Sequence, residues 1–229
     1  MTAASTAALL SDPGLAEPAA LPSGARRPRQ DRSKASLERM VAAAISVMVE
    51  RGNEDFTLIE VSKRGNVSIG SIYLRFGNKD NLVRAAIAEA MIAIDRDEAA
   101  MLESLSKTCS TLRDFVPQFV SAYAGLLHDH AGMLRLAMRR AEHDPLIAEP
   151  GKAAALKAQA QVQSAMLRYD SELCRDDRDS RTGAAFYIIF ATLARQLSLG
   201  SSEESATDFE WDKLKQELGR MCLAYLTAD

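Results

Sequence analysis

Apolar residues recur at helical spacing along most of the chain. Leu37, Val41 and Met48 lie on one stripe that Gly52 ends, because glycine readily adopts the left-handed conformation of a helix C-cap. Further stripes of this kind cover residues 112–128, 133–142, 151–173, 183–199 and 209–226. We find no run that alternates with the period of two typical of a β-strand. The pattern predicts an all-α fold of about nine helices.

Two short helices are marked between residues 56 and 78. Thr57 and Glu60 form a capping box, in which each side chain accepts a hydrogen bond from a backbone amide at the helix start. The first helix ends at Gly65-Asn66, two residue types that tolerate a positive φ angle. Ser68 then caps the second helix. Two short helices joined by a tight turn and held between longer helices predict a helix-turn-helix.

The second short helix has the composition of a recognition helix. Ile72 and Phe76, four residues apart, anchor its inner face. Gly70 costs about 1 kcal/mol relative to alanine inside a helix. This cost indicates either fraying near the cap or close approach to DNA, and the neighbouring residues favour DNA. Ile69 is able to contact a thymine methyl but not a polar base edge. We therefore expect specificity to depend on DNA shape, on water or on a basic arm.

Charge is distributed unevenly along the chain. The net charge is −3, yet residues 26–84 hold 12 basic and 7 acidic side chains. A basic segment on an otherwise acidic chain predicts a polyanionic partner. The basic residues of 26–34, including Arg29 and Arg32, suggest either an arm that contacts DNA or a solvated linker. We expect residues 1–32 to be a disordered tail that ends in this arm.

The helix-turn-helix segment resembles a known protein family. It is the TetR family of bacterial transcriptional regulators, and the matching stretch, residues 57–82, reads TLIEVSKRGNVSIGSIYLRFGNKDNL. The matching elements are Val67-Ser68-x-Gly70, Ile72-Tyr73-x-x-Phe76 and Asn78-Lys79-Asp80-x-Leu82, preceded by Ala43-Ala44 and Glu50-x-Gly52. The resemblance covers about residues 33–90. It departs from the family at Gly65-Asn66, usually Ala-Gly, and at Arg75, often His or Tyr.

The resemblance implies two domains. A helix-turn-helix DNA-binding domain would cover residues 33–80, and a larger ligand-binding and dimerisation domain would cover residues 81–229. The residues implied to face the major groove are Ser68, Ile69, Gly70 and Ser71. Those implied to contact the DNA backbone are Thr57, Tyr73, Arg75 and Lys79.

A homodimer is also implied, through a four-helix bundle made by the last two helices of each subunit. The sequence agrees, because residues 183–199 are apolar around most of the helix and residues 209–226 carry a helix-packing seam. Two-fold symmetry would require a palindromic operator with half-sites about 34–36 Å apart or a multiple of that distance.

The family further implies a small-molecule effector bound in the larger domain. Its Met and aromatic residues could line an adaptable apolar cavity, or they could form plain core. The candidate ligand-binding residues are Phe119, Tyr123, Arg135, Met138, Arg139, Met166, Tyr169, Phe186 and Phe190. The polar anchors among them would be Tyr123, Arg135, Arg139 and Tyr169. The chain would be a ligand-responsive repressor. The alternative is a TetR-like protein that organises DNA or binds partners without an effector.

Other functions find no support in the sequence. Phosphate-binding and nucleophile motifs are missing, so we expect no enzyme activity and no cofactor. His128 and His130 point about 200° apart on a helix, so we predict no metal site. An apolar run of about 20 residues and a charged leader are also missing. The three cysteines form no C-x-x-C pair. We therefore expect a cytoplasmic protein that does not bind membranes.

Overall fold

The computed structural model describes residues 26–200 and 210–228, with side chains from residue 32 onward. Within these ranges it contains α-helices, one short 3₁₀ helix at Asp170–Glu172 and no strand. The α-helices are α1 Arg26–Arg51, α2 Leu58–Gly65, α3 Ile69–Phe76, α4 Lys79–Thr108, α5 Leu112–Asp129, α6 Ala131–Ala141, α7 Pro145–Leu167, α8 Arg178–Gln196 and α9 Trp211–Thr227. The predicted all-α class is confirmed.

Helix α1 begins earlier than the sequence suggested. Residues 26–32 are helical in the structure. The Arg and Gln residues here favour a helix, and Pro28 lies in the first turn, where its missing amide has no intrahelical partner to lose. At the other end Gly52 has a φ of 66° and stops the helix, as predicted. The expected tail over residues 1–25 lies outside the described residues.

Two apolar clusters share helix α4. Its first half, including Leu82, Ala86 and Ile87, packs with α1, α2, α3 and α6. Its second half, including Ile94 and Leu105, packs with α5, α7, α8 and α9. The boundary predicted at residue 80 therefore coincides with the start of a helix that continues into the second cluster. Residues from Leu37 onward form one compact unit.

Helices α5 and α9 cross closely in the second cluster. A β-carbon placed on Gly219 would lie 3.2 Å from the Cα atom of Pro117, so only glycine allows this approach without adjustment. The pairing joins residues about a hundred positions apart. The sequence contains no local sign of it.

Helices α7 and α8 differ in their bounds from the prediction. Helix α7 begins at Pro145, because proline suits the first helical position and Asp144 caps it through the Leu146 amide at 3.2 Å. Pro150 lies inside this helix and does not open it. Helix α8 begins at Arg178, five residues before the predicted start. None of the helices in the described ranges is long and apolar enough to cross a membrane.

Candidate nucleic-acid interface

The start of α2 is fixed by its own side chains. The Glu60 amide donates to Thr57 Oγ1 at 3.3 Å, and the Thr57 amide donates to Glu60 Oε2 at 2.7 Å. The predicted capping box is therefore present. Hydrogen bonds from the Thr57 amide and hydroxyl, and then from Arg51, lower the pKa of Glu60. The box thus holds Glu60 as a carboxylate.

The turn between α2 and α3 is tight for two local reasons. Asn66 is left-handed, with φ 47° and ψ 52°, and its amide donates back to α2. Gly65 lies against α1, where an added β-carbon would be 3.0 Å from the Arg39 carbonyl oxygen and 3.2 Å from Ala43 Cβ. Glycine at position 65 is therefore explained by packing inside the protein.

Helix α3 is anchored on one side and open on the other. Ser68 caps it by accepting from the Ser71 amide at 3.1 Å, as predicted. Ile72 is fully buried. A β-carbon on Gly70 would meet no described atom within 4 Å. Unlike Gly65, Gly70 therefore has no explanation in the packing of the residues that the structure describes.

The outer face of α3 exposes large side chains. Tyr73 and Ile69 are exposed, and Leu74 is 91% exposed. The Ser68 and Ser71 hydroxyls are 2.7 Å apart and hydrogen-bond to each other, which reduces what they offer a partner. Sequence analysis missed Leu74. Its signal is a spacing of four from Gly70, on the side opposite Ile72.

Basic residues border this face. Lys79 opens α4, and its ammonium lies 4.7 Å from the centre of the Phe56 ring, which holds the charge beside the helix-turn-helix. Arg75 is exposed at the end of α3. Arg32 is exposed on α1, and the side chain of Arg29 lies outside the described residues. The arrangement suits a negatively charged partner.

Four aromatic ligand candidates form a continuous row in the second cluster. Ring centres are 5.3 Å apart for Phe119 and Tyr123, 5.8 Å for Tyr123 and Phe186, and 6.4 Å for Phe186 and Phe190. Met166 is fully buried in the same cluster. Tyr169 packs at the other end of the row, 5.4 Å from the Phe115 ring.

The candidates on α6 do not join this row. Arg135 donates to the Leu197 carbonyl at 2.9 Å and borders an open cavity of about 430 Å³ beside Val49. Arg139 donates to the Gly52 carbonyl at 2.5 Å. Met138 only borders the second cluster from α6, partly buried. The buried residues of α6 are divided between the two clusters, so a role of Arg135 and Arg139 as polar anchors of a ligand stays a prediction.

Glu98 is a buried acid that sequence analysis overlooked. It is 5% exposed, and its Oε1 atom has no hydrogen-bond partner among the described residues. Burial, and secondarily Asp95, raises the pKa of Glu98 to about 7. Burial and the neighbouring Glu98 raise the pKa of Tyr123. The signal was present, since Glu98 continues the four-residue apolar spacing of Ala90 and Ile94.

An ion-pair network connects the helix-turn-helix with α6 and α7. Arg140 donates to Glu54 at 2.8 Å, to Asp80 at 2.9 Å and to Asp144 at 2.9 Å. Arg84 donates to the same Asp144 oxygen at 2.8 Å. Hydrogen bonds from Arg84 and then Arg140 lower the pKa of Asp144 to about 2. The loop before α2 and the start of α4 are thus tied to the turn between α6 and α7.

The histidines stand apart from one another. His130 Nε2 lies 3.1 Å from Asp97 Oδ2, whereas His128 is exposed beside Asp129. In the parts of the chain that the structure describes, no three His, Cys, Asp or Glu residues come together as metal ligands.

Two short helices, a tight turn and an open outer face on the second helix define a DNA-binding regulator of the helix-turn-helix class. Residues 40–86 match the model of bacterial regulatory proteins, tetR family. Residues 40–86 therefore carry a DNA-binding domain of the tetR-family type. The resemblance seen in the sequence is confirmed, whereas a comparison with curated proteins gives no match.

Solved structures share the fold at low identity. A Mesorhizobium loti protein assigned to the TetR family has a TM-score of 0.65 and 16% identity, over 85% of this chain and 94% of that one. A Cytophaga hutchinsonii transcriptional regulator has a TM-score of 0.62 and 15% identity, over 84% of this chain and 98% of that one. Salmonella enterica GusR has a TM-score of 0.58 and 20% identity, over 83% of this chain and 95% of that one. The N-terminal helix-turn-helix and larger helical region are therefore a shared architecture.

Proposed function

We propose that this protein is a homodimeric, ligand-responsive repressor that binds a palindromic operator in the cytoplasm. The observation that carries DNA recognition is Gly70. A glycine inside a helix weakens it, and no described atom lies where its side chain would be. A glycine at this position would allow the backbone of α3 to come close to the edges of base pairs.

Backbone contacts would orient α3 in the major groove. Thr57, Tyr73 and Arg75 are exposed, Lys79 is partly exposed, and the four carry hydroxyl or cationic groups suited to phosphate. Arg29 and Arg32 on α1 belong to the same proposal. Such contacts fix the register on DNA without selecting the sequence.

The decisive test separates folding from DNA binding. Selection of bound fragments from the native genome would supply the operator. Gly70→Leu should stabilise the protein, by at most about 1 kcal/mol, and still abolish operator binding. Gly125→Leu is the matched control, since Gly125 is also an exposed helical glycine with no described atom near its missing side chain. Operator binding unchanged by Gly70→Leu would refute the proposed orientation of α3.

Salt dependence tests the phosphate contacts. Lys79→Ala should flatten the slope of log affinity against log salt by about 1 for each subunit. Lys107→Ala removes the same charge from the far end of α4, where Lys107 pairs with Glu103, and should leave the slope unchanged. Equal slopes for the two variants would remove Lys79 from the interface.

Exposed apolar side chains on α8 and α9 support the homodimer. Tyr187 and Ile188 on α8, and Met221 and Tyr225 on α9, are all exposed. The two helices are neighbours, because Arg181 on α8 donates to the Tyr225 carbonyl at 2.9 Å. A continuous apolar surface of this kind marks a protein interface.

Analytical ultracentrifugation tests the dimer. Tyr187→Glu combined with Met221→Glu should give monomers, because two charges per subunit would be buried in the interface. Leu156→Glu is the control on α7, where Leu156 is 59% exposed, close to 65% for Met221. A dimer that survives the double substitution would place the interface elsewhere.

We place the proposed effector beside Glu98 and the aromatic row. The unpartnered Glu98 carboxyl offers an acceptor within apolar surroundings, next to Tyr123. A bulky, mostly apolar compound with one donor group would satisfy it. Helix α4 carries Glu98 and begins directly after α3, so it gives a physical connection from this site to the helix-turn-helix.

Screening compounds for a change in operator affinity tests the effector. At pH 8, above the pKa of about 7 for Glu98, Glu98→Gln should weaken the response to an active compound about tenfold, the value of one charge-assisted hydrogen bond. Its operator affinity without compound should stay within about twofold. Binding to many dispersed sites, with no compound that alters it, would favour a DNA-organising protein instead.

A further inference from the structure

Leu74 is the most exposed large apolar residue on the helix-turn-helix. It is 91% exposed, whereas Ile72, two positions earlier, is fully buried. At 100° per residue, Leu74 points about 160° away from Ile72 and only about 40° from Gly70. Leu74 and Gly70 therefore form the crest of α3 that would enter a groove first.

The polar groups on this crest are few. Gly70 has no side chain, and the Ser68 and Ser71 hydroxyls are hydrogen-bonded to each other. Ile69, at the first position of α3, is a second exposed apolar side chain, about 140° from Leu74 around the helix. Apart from Tyr73 and Arg75, which we propose to contact phosphate, the exposed face of α3 is poor in donors and acceptors for base edges but rich in methyl groups.

The major groove offers one apolar group to such a face. Thymine carries a C5-methyl group there, and the other three bases present donors or acceptors. Lys79 and Arg75 beside the crest indicate nucleic acid as its partner, since they supply the cations that phosphates need.

We propose that Leu74, with Ile69, recognises thymine methyl groups in each operator half-site. This inference rests on the proposed operator binding and adds the feature of DNA that is read. Leu74 is then a specificity-determining residue, and Gly70 lets its neighbouring backbone come close enough for the contact.

Thymine-to-deoxyuridine replacement tests the contact, because it removes the methyl group and keeps every hydrogen-bonding atom. One replacement per half-site at the contacted position should weaken binding about fourfold for each half-site, the value of one buried methyl. Replacements elsewhere should leave affinity unchanged. Each thymine of the selected operator is replaced in turn, and affinity is measured at fixed salt.

A double comparison assigns the methyl to Leu74. Leu74→Ala should bind the thymine operator more weakly, and deoxyuridine at one position should no longer reduce its affinity further. For Ile69→Ala the same should hold at a different position. Ile92→Ala, an exposed apolar residue on α4, should keep both responses. Thermal unfolding confirms that each variant folds.

The two proposals fail in different ways. If the wild-type protein binds its operator and no deoxyuridine weakens it, methyl recognition is wrong and operator binding stands. If every replacement lowers the affinity of Leu74→Ala as much as it lowers that of the wild type, Leu74 does not contact the thymine methyl group. If no duplex is preferred at all, the proposed function itself is wrong.

Discussion

Local caps define the helices of the helix-turn-helix, whereas the C-terminal helices add to caps such as Thr111 polar contacts between residues far apart in the sequence. In the first, the capping side chain accepts a hydrogen bond from the backbone amide three positions later, as Thr57, Ser68 and Asn78 do. In the second, Tyr169 donates to the Cys109 carbonyl at 3.0 Å, 60 positions away. Local contacts can be recognised in a sequence, whereas distant pairings depend on how helices pack.

The largest expected effect tests the distant contacts. Phe119→Ala should lower the free energy of unfolding by about 3–5 kcal/mol, because Phe119 is fully buried between two aromatic rings. Chemical denaturation measures the loss. A cost below about 1 kcal/mol would mean that this core is loosely packed and that the contrast between the two regions is weaker than described.

The next effect tests the connection between the regions. Arg140→Met should cost about 2 kcal/mol, less than a fully buried ion pair because Asp80 is exposed. Operator affinity should also fall, since the loop before α2 loses its tie to α6. Arg96→Met is the control, since Arg96 is exposed and pairs with its neighbour Asp97. Affinity that stays unchanged would mean that the two regions are coupled through α4 alone.

Glu98 should make stability depend on pH. Its pKa is about 7 in the folded protein against an ordinary 4.5, so folding favours the protonated acid. The wild type therefore loses stability as pH rises from about 4.5 through 7, whereas Glu98→Gln does not. At pH 8 the variant should be more stable by about 1–2 kcal/mol, and at pH 4 the two should be equal. Thermal melts across this range measure it, and parallel pH profiles would show that Glu98 is not buried.

The smallest effect compares one cap from each region. Thr57→Ala and Thr111→Ala each remove the hydroxyl that caps a helix, α2 or α5, and each should cost about 1 kcal/mol. Only Thr57→Ala should also weaken operator binding. If both variants bind the operator equally well, Thr57 stabilises α2 and makes no contact with phosphate.

The sequence allowed the helix-turn-helix to be predicted nearly residue by residue, because caps and turns involve neighbours. The all-α fold followed from periodicity. Glu98 and Leu74 were missed because hydrophobic patterning assigns glutamate to the surface and leucine to the core. In the structure Glu98 is buried and Leu74 is exposed. The surroundings of Arg135 and Arg139 could not be predicted, because the division of the buried α6 residues between the two clusters depends on packing across the whole chain.

Helix α4 has a mechanical consequence. Its 30 residues make a rod about 45 Å long that starts beside the recognition helix and ends in the C-terminal core. Glu98 and Lys79 are separated by about 28 Å along it. A tilt of about 5° around Glu98 would swing Lys79 sideways by about 2.5 Å, most of the 3.4 Å between successive bases. By leverage, a small rearrangement deep in the protein would thus be magnified into a misfit at the double helix.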